Sequence, residues 1–349
     1  MSDLFEEALS QIQSRYANNP LYIKNHTIKD GLKKYVSYCI SGSAIDDMEI
    51  NRRYSDFFAL REKLCKRWPG IYIPNIPKKK TVGNLEISTI LSRMRLLNLF
   101  TERFAKFDYL LSSEEFKLFR SDKPDFIKQL DKLPPVNYED MLEKYKLSFS
   151  NFKFLDAYDE NLGRERVLDF LNTLKKAHSN IKHFKDMIYI TLDCKNKELE
   201  HYISFLSSFD DYEKYGLLEF ADNNEDKLVM FNPSNVELLD SINKAKEKLR
   251  NAFEDISEWL RGEEIDVDAM IEAINGFQGL NDAKKKLDEK YVALDKEIKE
   301  FQFGDKKTLK GIFTRKNKDE RLEEMQKDKQ NAKEQSDLLK SILKYVTFH

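Results

Sequence analysis

Arg52-Arg53-Tyr54-Ser55-Asp56-Phe57 sets two guanidiniums, a phenol ring and a hydroxyl on consecutive positions, and Lys78-Lys79-Lys80 follows Ile73-Pro74-Asn75-Ile76-Pro77 in the same stretch. Guanidinium forks hold phosphate oxygens through paired charge-assisted bonds, and lysines hold them as point charges. With a ring alongside for stacking, the chemistry this set suits is recognition of phosphate on a sugar-like ring. Catalysis is not indicated. His178 and His183 lie five apart, not the four that one helical face needs for a metal pair, and His26, His201 and His349 have no evident partners. Phosphate-cradling glycine loops, nucleophile elbows and dinucleotide fingerprints do not occur. No enzyme, cofactor or metal site is therefore expected.

The elements that must position these side chains follow from periodicity. Leu21 to Lys24 begins one strand, Lys34 to Ile40 forms a second, and Met48 to Tyr54 forms a third that ends on the arginine pair. Ser55 is the expected cap of a helix over Asp56 to Arg67, which turns Phe57, Leu60 and Leu64 inward and stops at Pro69-Gly70. Ile90, Leu91, Met94, Leu97, Phe100 and Phe104 mark a longer helix, and Ser112 to Phe119 a short one. An α+β domain with a three-stranded antiparallel sheet, ending near Ser121, is the result. Ahead of it, residues 1–17 suit a short helix that is expected to be loosely held.

Beyond Ser121 the pattern changes. Pro124 and Pro134-Pro135 mark a linker, and Tyr138 to Leu155 suits a short amphipathic helix, although residues 147–154 also alternate in part. From Arg164 to about Asp211 apolar residues keep helical spacing for nearly fifty residues. A second long run follows Pro233, with Gly262, Gly276 and Gly279 expected to bend it, and a third starts near Asn317. Charged residues make up 34% of the 349 residues, with only 11 Gly and 8 Pro, as expected of long solvated helices. A net charge of −2 excludes a global basic field that would recruit nucleic acid, so an anionic partner must be met by local clusters. Cys39, Cys65 and Cys194 share no metal or redox spacing and read as packing residues of a reducing compartment. Neither a signal peptide nor an apolar run long enough to span a bilayer is evident, which leaves a cytosolic protein or one peripheral on a membrane.

The strand, arginine-pair, helix and basic-proline order resembles the PX (phox-homology) domain, a phosphoinositide-binding module. The long helices resemble the BAR (Bin/amphiphysin/Rvs) region that follows it in one branch of the sorting nexins. The division this implies is a tail over 1–17, a PX domain over 18–122, a linker with a possible yoke helix over 123–162, and an all-α BAR-like three-helix bundle over 163–349. The resemblance implies that Arg53 holds the 3-phosphate of phosphatidylinositol 3-phosphate, that Tyr54 stacks on the inositol ring and that Ser55 lies near the phosphate. Lys79 would contact the 1-phosphate, and Arg93, spaced from Leu97 and Phe100, the ring hydroxyls; Arg95 should face away.

The same resemblance makes Val82, Leu85 and Ile87 either bilayer-inserting or core residues. It places the basic cluster Lys306, Lys307, Lys310, Arg315 and Lys316 at the distal tip of a dimer, where it either meets anionic headgroups or is a solvated turn. Leu192, Leu199, Ile203, Leu238 and Ile242 are expected near a dimer seam, with the same chain or a related one. Family members of this branch usually extend the third helix further than His349, so the arm is either short or incomplete. The function implied is a peripheral protein of early or recycling endosomes that senses or imposes curvature, with retromer and autophagy machinery both open as partners. The alternative is a cytosolic coiled-coil scaffold that the PX domain only addresses to endosomes.

Overall fold

The structure is a computed structural model that describes residues 2–30, 34–79, 83–121, 125–150, 160–212, 252–303 and 318–348. Strands β1 (Tyr22–Lys29), β2 (Tyr35–Ser41) and β3 (Ile50–Arg53) form an antiparallel sheet in the order β1-β2-β3. Central β2 is buried along almost its whole length, and its register pairs Tyr38 with Arg52 and Ser37 with Arg53. Helix α1 (Ser2–Tyr16) precedes the sheet. It is not loosely held as its length alone suggested: Ile12 and Tyr16 are buried, and the Gln13 side chain donates to the Lys24 carbonyl at 2.7 Å. The free side of β1 offers unpaired backbone groups that need cover. Gln13 meets one, and Asn98, whose Oδ1 accepts from the Ile23 N–H at 2.7 Å, meets another.

Helix α2 (Tyr54–Arg67) starts directly at the end of β3, two residues earlier than the sequence indicated. Ser55 is therefore not its cap. Arg53 takes that position in extended conformation, and the Asp56 carboxylate reaches back to accept from the Arg53 N–H at 3.1 Å, as an acid at the third helical position can. Phe57, Leu60 and Leu64 are buried as expected, and the Phe57 ring meets Tyr38, Phe100 and Phe119 edge-on. Helices α3 (Ile87–Phe104), α4 (Asp108–Leu111), α5 (Glu114–Arg120), α6 (Phe126–Asp131) and α7 (Tyr138–Ser148) complete this region. Arg67 ties α2 to α5 from within, through Glu115 at 2.5 Å and Glu114 at 2.6 Å.

The expected long helices follow as α8 (Glu160–Asp211), α9 (Ala252–Phe303) and α10 (Lys318–Phe348). By packing, the chain forms two compact units, one of residues 1–176 with 265–349 and one of residues 177–264. In the first, α7 is part of the core: Tyr145 is buried, stacks on Trp68 at 5.7 Å and donates its hydroxyl to the Pro69 carbonyl at 2.8 Å. Helix α9 runs unbroken through Gly262, Gly276 and Gly279. What Gly276 provides is proximity rather than a bend, since a Cβ there would stand 2.5 Å from the Gly70 backbone nitrogen. Around that contact Arg61 pairs with Glu272 at 2.5 Å, and Arg103 with Asp266 at 3.2 Å.

The second unit buries Ile188 and Leu260 and pairs Lys185 with Glu264. Cys194 is exposed there, so only Cys39 and Cys65 serve packing. Leu192, Leu199 and Ile203 are half-buried, while Phe184, Tyr189, Ile190, Tyr202 and Phe205 are exposed. Leu238 and Ile242 lie outside the described residues. Among the described residues no helix is long and apolar enough to cross a membrane.

Candidate anion-binding site

Successive side chains of a strand point to opposite faces, and at the end of β3 this separates the two arginines. Arg52 turns inward. It is 7% exposed, its guanidinium donates to the carbonyls of Phe119 at 3.0 Å, Asn51 at 3.2 Å and Ser121, and it lies over the rings of Phe119 and Phe126. The paired-arginine site of the sequence is thus corrected to one: Arg52 is structural, because its donors are spent on backbone acceptors. Arg53 faces solvent with its side chain 52% exposed and an ion pair to Asp56 at 3.3 Å. An exposed pair of this kind is worth about 0–1 kcal/mol, so an arriving phosphate can compete for the guanidinium.

Tyr54 is the hub of the site. It is buried, its hydroxyl donates to the Pro77 carbonyl at 2.5 Å, and the Arg93 guanidinium lies 4.6 Å from the centre of its ring. Burial pushes its phenol upward and Arg93 opposes that shift. Through this one ring the end of β3, the proline loop and α3 are held together. Ser55 is half-buried in the first turn of α2. Lys78 and Lys79 are exposed immediately after buried Pro77, whereas Lys80 and Val82 lie outside the described residues.

Arg93, which the resemblance placed by its spacing from Leu97 and Phe100, is buried on α3. Its Nη2 donates to Asn84 Oδ1 at 2.8 Å. Nearby, burial pushes the Tyr38 hydroxyl up to about 12, with the Arg93 charge acting the other way. A guanidinium backed by a ring and held at one edge keeps its remaining N–H groups in a fixed direction. Gly83 to Glu86 forms a tight turn ahead of α3, closed by the Glu86 N–H to the Gly83 carbonyl at 3.2 Å. Gly83 adopts φ +74, and a Cβ there would meet the Glu86 carboxylate at 2.8 Å. Beyond the turn Leu85 and Ile87 are exposed, at 40% and 50%.

Arg53, Lys79 and Arg93 thus come from three elements tied through Tyr54, and two apolar side chains stand free on the adjoining turn. Such a set can take a phosphorylated ring while an apolar edge meets a lipid surface. Asn84 was missed in the sequence, where Gly-Asn before a helix reads only as a turn. The tip cluster Lys306, Lys307, Lys310, Arg315 and Lys316 lies outside the described residues.

Residues 30–122 match the PX domain family. Vacuolar protein sorting-associated protein vps5 of Schizosaccharomyces pombe is 30% identical over 110 residues, 29% of this chain and 19% of that protein. Sorting nexin 1 of Arabidopsis thaliana is 33% identical over 98 residues, 26% of this chain and 24% of that protein. The chain therefore aligns with about a fifth to a quarter of the length of these curated relatives. In fold it is similar to a chain of the SNX-BAR Mvp1 tetramer solved by cryo-EM, with a TM-score of 0.53 at 13% identity, over 94% of this chain and 89% of that one.

Proposed function

We propose, for a chain that is a sorting nexin with a PX domain followed by a BAR-type helical region, that it binds phosphatidylinositol 3-phosphate on endosomal membranes and acts there in sorting and recycling. The observation that carries this reading is the exposed Arg53 guanidinium beside a ring that also holds Arg93 and the base of the lysine loop. Arg53 takes the 3-phosphate bidentately, Lys79 the 1-phosphate and Arg93 the ring hydroxyls. Tyr54 lines the ring with whatever surface Arg93 leaves open, and Ser55 stands beside the phosphate. Leu85, Ile87 and Val82 enter the bilayer, which adds apolar burial to the ionic contacts.

Exposed apolar side chains on α8 support self-association or pairing with a related chain, and two headgroup sites in one assembly raise avidity without any new contact. The basic cluster from Lys306 to Lys316 adds attraction to anionic lipid, and the assembly responds to curvature. The same exposed face on α8 would equally serve a scaffold that binds other proteins. The two readings part in one experiment, flotation with vesicles of small and large diameter carrying either phosphatidylinositol 3-phosphate or phosphatidylinositol. Binding that needs the 3-phosphate, strengthens on small vesicles and tubulates large ones supports the proposal. Binding to the 3-phosphate that ignores diameter and never deforms the vesicles leaves the scaffold, and binding indifferent to the 3-phosphate overturns both.

A further inference from the structure

Asn84 occupies a position that neither headgroup recognition nor helix capping explains. It sits inside the turn closed between Gly83 and Glu86, yet its side chain points back to α3 and accepts from Arg93 at 2.8 Å. Arg93 is itself 7% exposed and lies over the Tyr54 ring, so its other contacts are fixed by the core. Among the described residues, Asn84 is therefore the side-chain link between that buried guanidinium and the turn from which Leu85 and Ile87 project. We infer that Asn84 is a positioning residue that couples the anion site to the apolar turn, so that holding the headgroup and presenting Leu85 and Ile87 to the bilayer are one event. The inference rests on the phosphoinositide reading of this site.

The physical argument has two halves. A guanidinium has five N–H donors in a rigid fork, and giving one to Asn84 while the plane rests on Tyr54 leaves the remaining donors aimed without further ordering. Conversely, the turn has little packing of its own: Gly83 and Asn84 are half-buried, and Leu85 through Ser88 are exposed. A bond from a buried, charged donor is what gives such a turn a fixed orientation. A headgroup bound to those donors adds a further hold on Arg93 and, through Asn84, on the turn, and a turn held by the bilayer returns the favour, because coupling of this kind is reciprocal.

The test is a double-mutant cycle on vesicles containing phosphatidylinositol 3-phosphate, together with calorimetry on its soluble short-chain form. In the wild-type background Leu85→Ser with Ile87→Ser is expected to lower vesicle partitioning about tenfold or more, since two exposed apolar groups lose their bilayer contact. In the Asn84→Ala background the same pair should cost about threefold or less, because the turn is no longer held for insertion. Soluble lipid should bind about three- to tenfold more weakly to Asn84→Ala, through loss of preorganisation, and normally to the Leu85→Ser, Ile87→Ser protein. Asn84→Asp retains an acceptor for Arg93 and should restore the coupling on vesicles, with melting curves confirming that both variants fold. Effects that simply multiply, in a protein that still selects the 3-phosphate, would overturn the coupling and leave the headgroup site standing. Unchanged soluble binding by Asn84→Ala, or an Asn84→Asp protein that stays uncoupled, would overturn the positioning role. Wild-type binding indifferent to the 3-phosphate would overturn the inference and the reading beneath it together.

Discussion

In the sheet-and-helix region Phe57, Phe104, Phe116 and Phe119 are each at most 1% exposed, whereas in the unit of residues 177–264 Tyr189 is 74% exposed and Phe205 62%. Both regions are rich in large apolar side chains. The first folds a sheet, short helices and loops over one another, so that most of its phenylalanine rings find several neighbours. The second, among its described residues, is built from long helices, and a helix can bury only the stripe that faces its neighbour. The difference teaches that the candidate anion site draws its side chains from one chain, while the long helices, among the described residues, keep a surface suited to another. Large contiguous apolar exposure on a soluble protein marks an interaction site.

The sharpest way to break that comparison is truncation of one ring from each region. Phe57→Ala is expected to cost about 3–5 kcal/mol, since it empties a site enclosed by Tyr38, Phe100 and Phe119. Phe205→Ala should stay within about 0.5 kcal/mol in the dissociated chain, as exposed substitutions do. Denaturant unfolding at low protein concentration measures both, and similar losses would erase the distinction. The arginine pair gives the next largest contrast. Arg52→Ala should cost about 2–3 kcal/mol by leaving buried carbonyls without their charged donor, and Arg53→Ala about 0.5 kcal/mol or less. A reversed order would mean that strand parity has been misassigned.

A third variant probes the open face directly. Tyr202→Glu with Phe205→Glu should reduce the mass in solution to that of one 41.3 kDa chain without changing affinity for soluble lipid. Persisting assembly would move the interface elsewhere. The smallest effect concerns the contact between α9 and α10, where Asp295 accepts from Lys299 at 2.7 Å and from Lys329. Those hydrogen bonds hold its carboxyl down at about 2, below its ordinary 3.8. A depressed carboxylate stabilises the fold above its unfolded value, so this contribution is complete above about pH 4 and fades as pH falls toward 2. Asp295→Asn should lower stability slightly at neutral pH, where that contribution is complete, and leave it unchanged near pH 2, flattening that part of the acid-stability profile; an unaltered profile would show that the pair does not matter.

Much of this was legible in the sequence. Period-two and period-four spacing identified the three strands, α2 and the three long helices, because each buries one face and so writes that face into the chain. Arg93 was singled out by the family resemblance through its distance from Leu97 and Phe100, and it lies on the buried side of α3. Residue types alone did not separate Arg52 from Arg53, and only the resemblance chose Arg53, because adjacent identical residues differ only by pleat parity and the register that sets it is a long-range property. The docking of α1, the approach of Gly276 to Gly70 and the Asn84 bond to Arg93 were hidden likewise. Each joins residues far apart in the chain or side chains whose direction local spacing does not encode. Ser55 was misread as a cap because its type fits that role, whereas the helix begins at Tyr54 and Asp56 instead accepts from the Arg53 N–H.

The central claim is that Arg53, and not its neighbour, is the cation that grips the 3-phosphate. Calorimetric titration of short-chain phosphatidylinositol 3-phosphate into the wild-type, Arg53→Ala and Arg52→Lys proteins tests it without a bilayer. Saturable binding by wild type, its loss in Arg53→Ala at an unchanged melting temperature, and its retention in whatever fraction of Arg52→Lys folds are the expected results. An Arg53→Ala protein that binds the soluble lipid as wild type does would contradict the account.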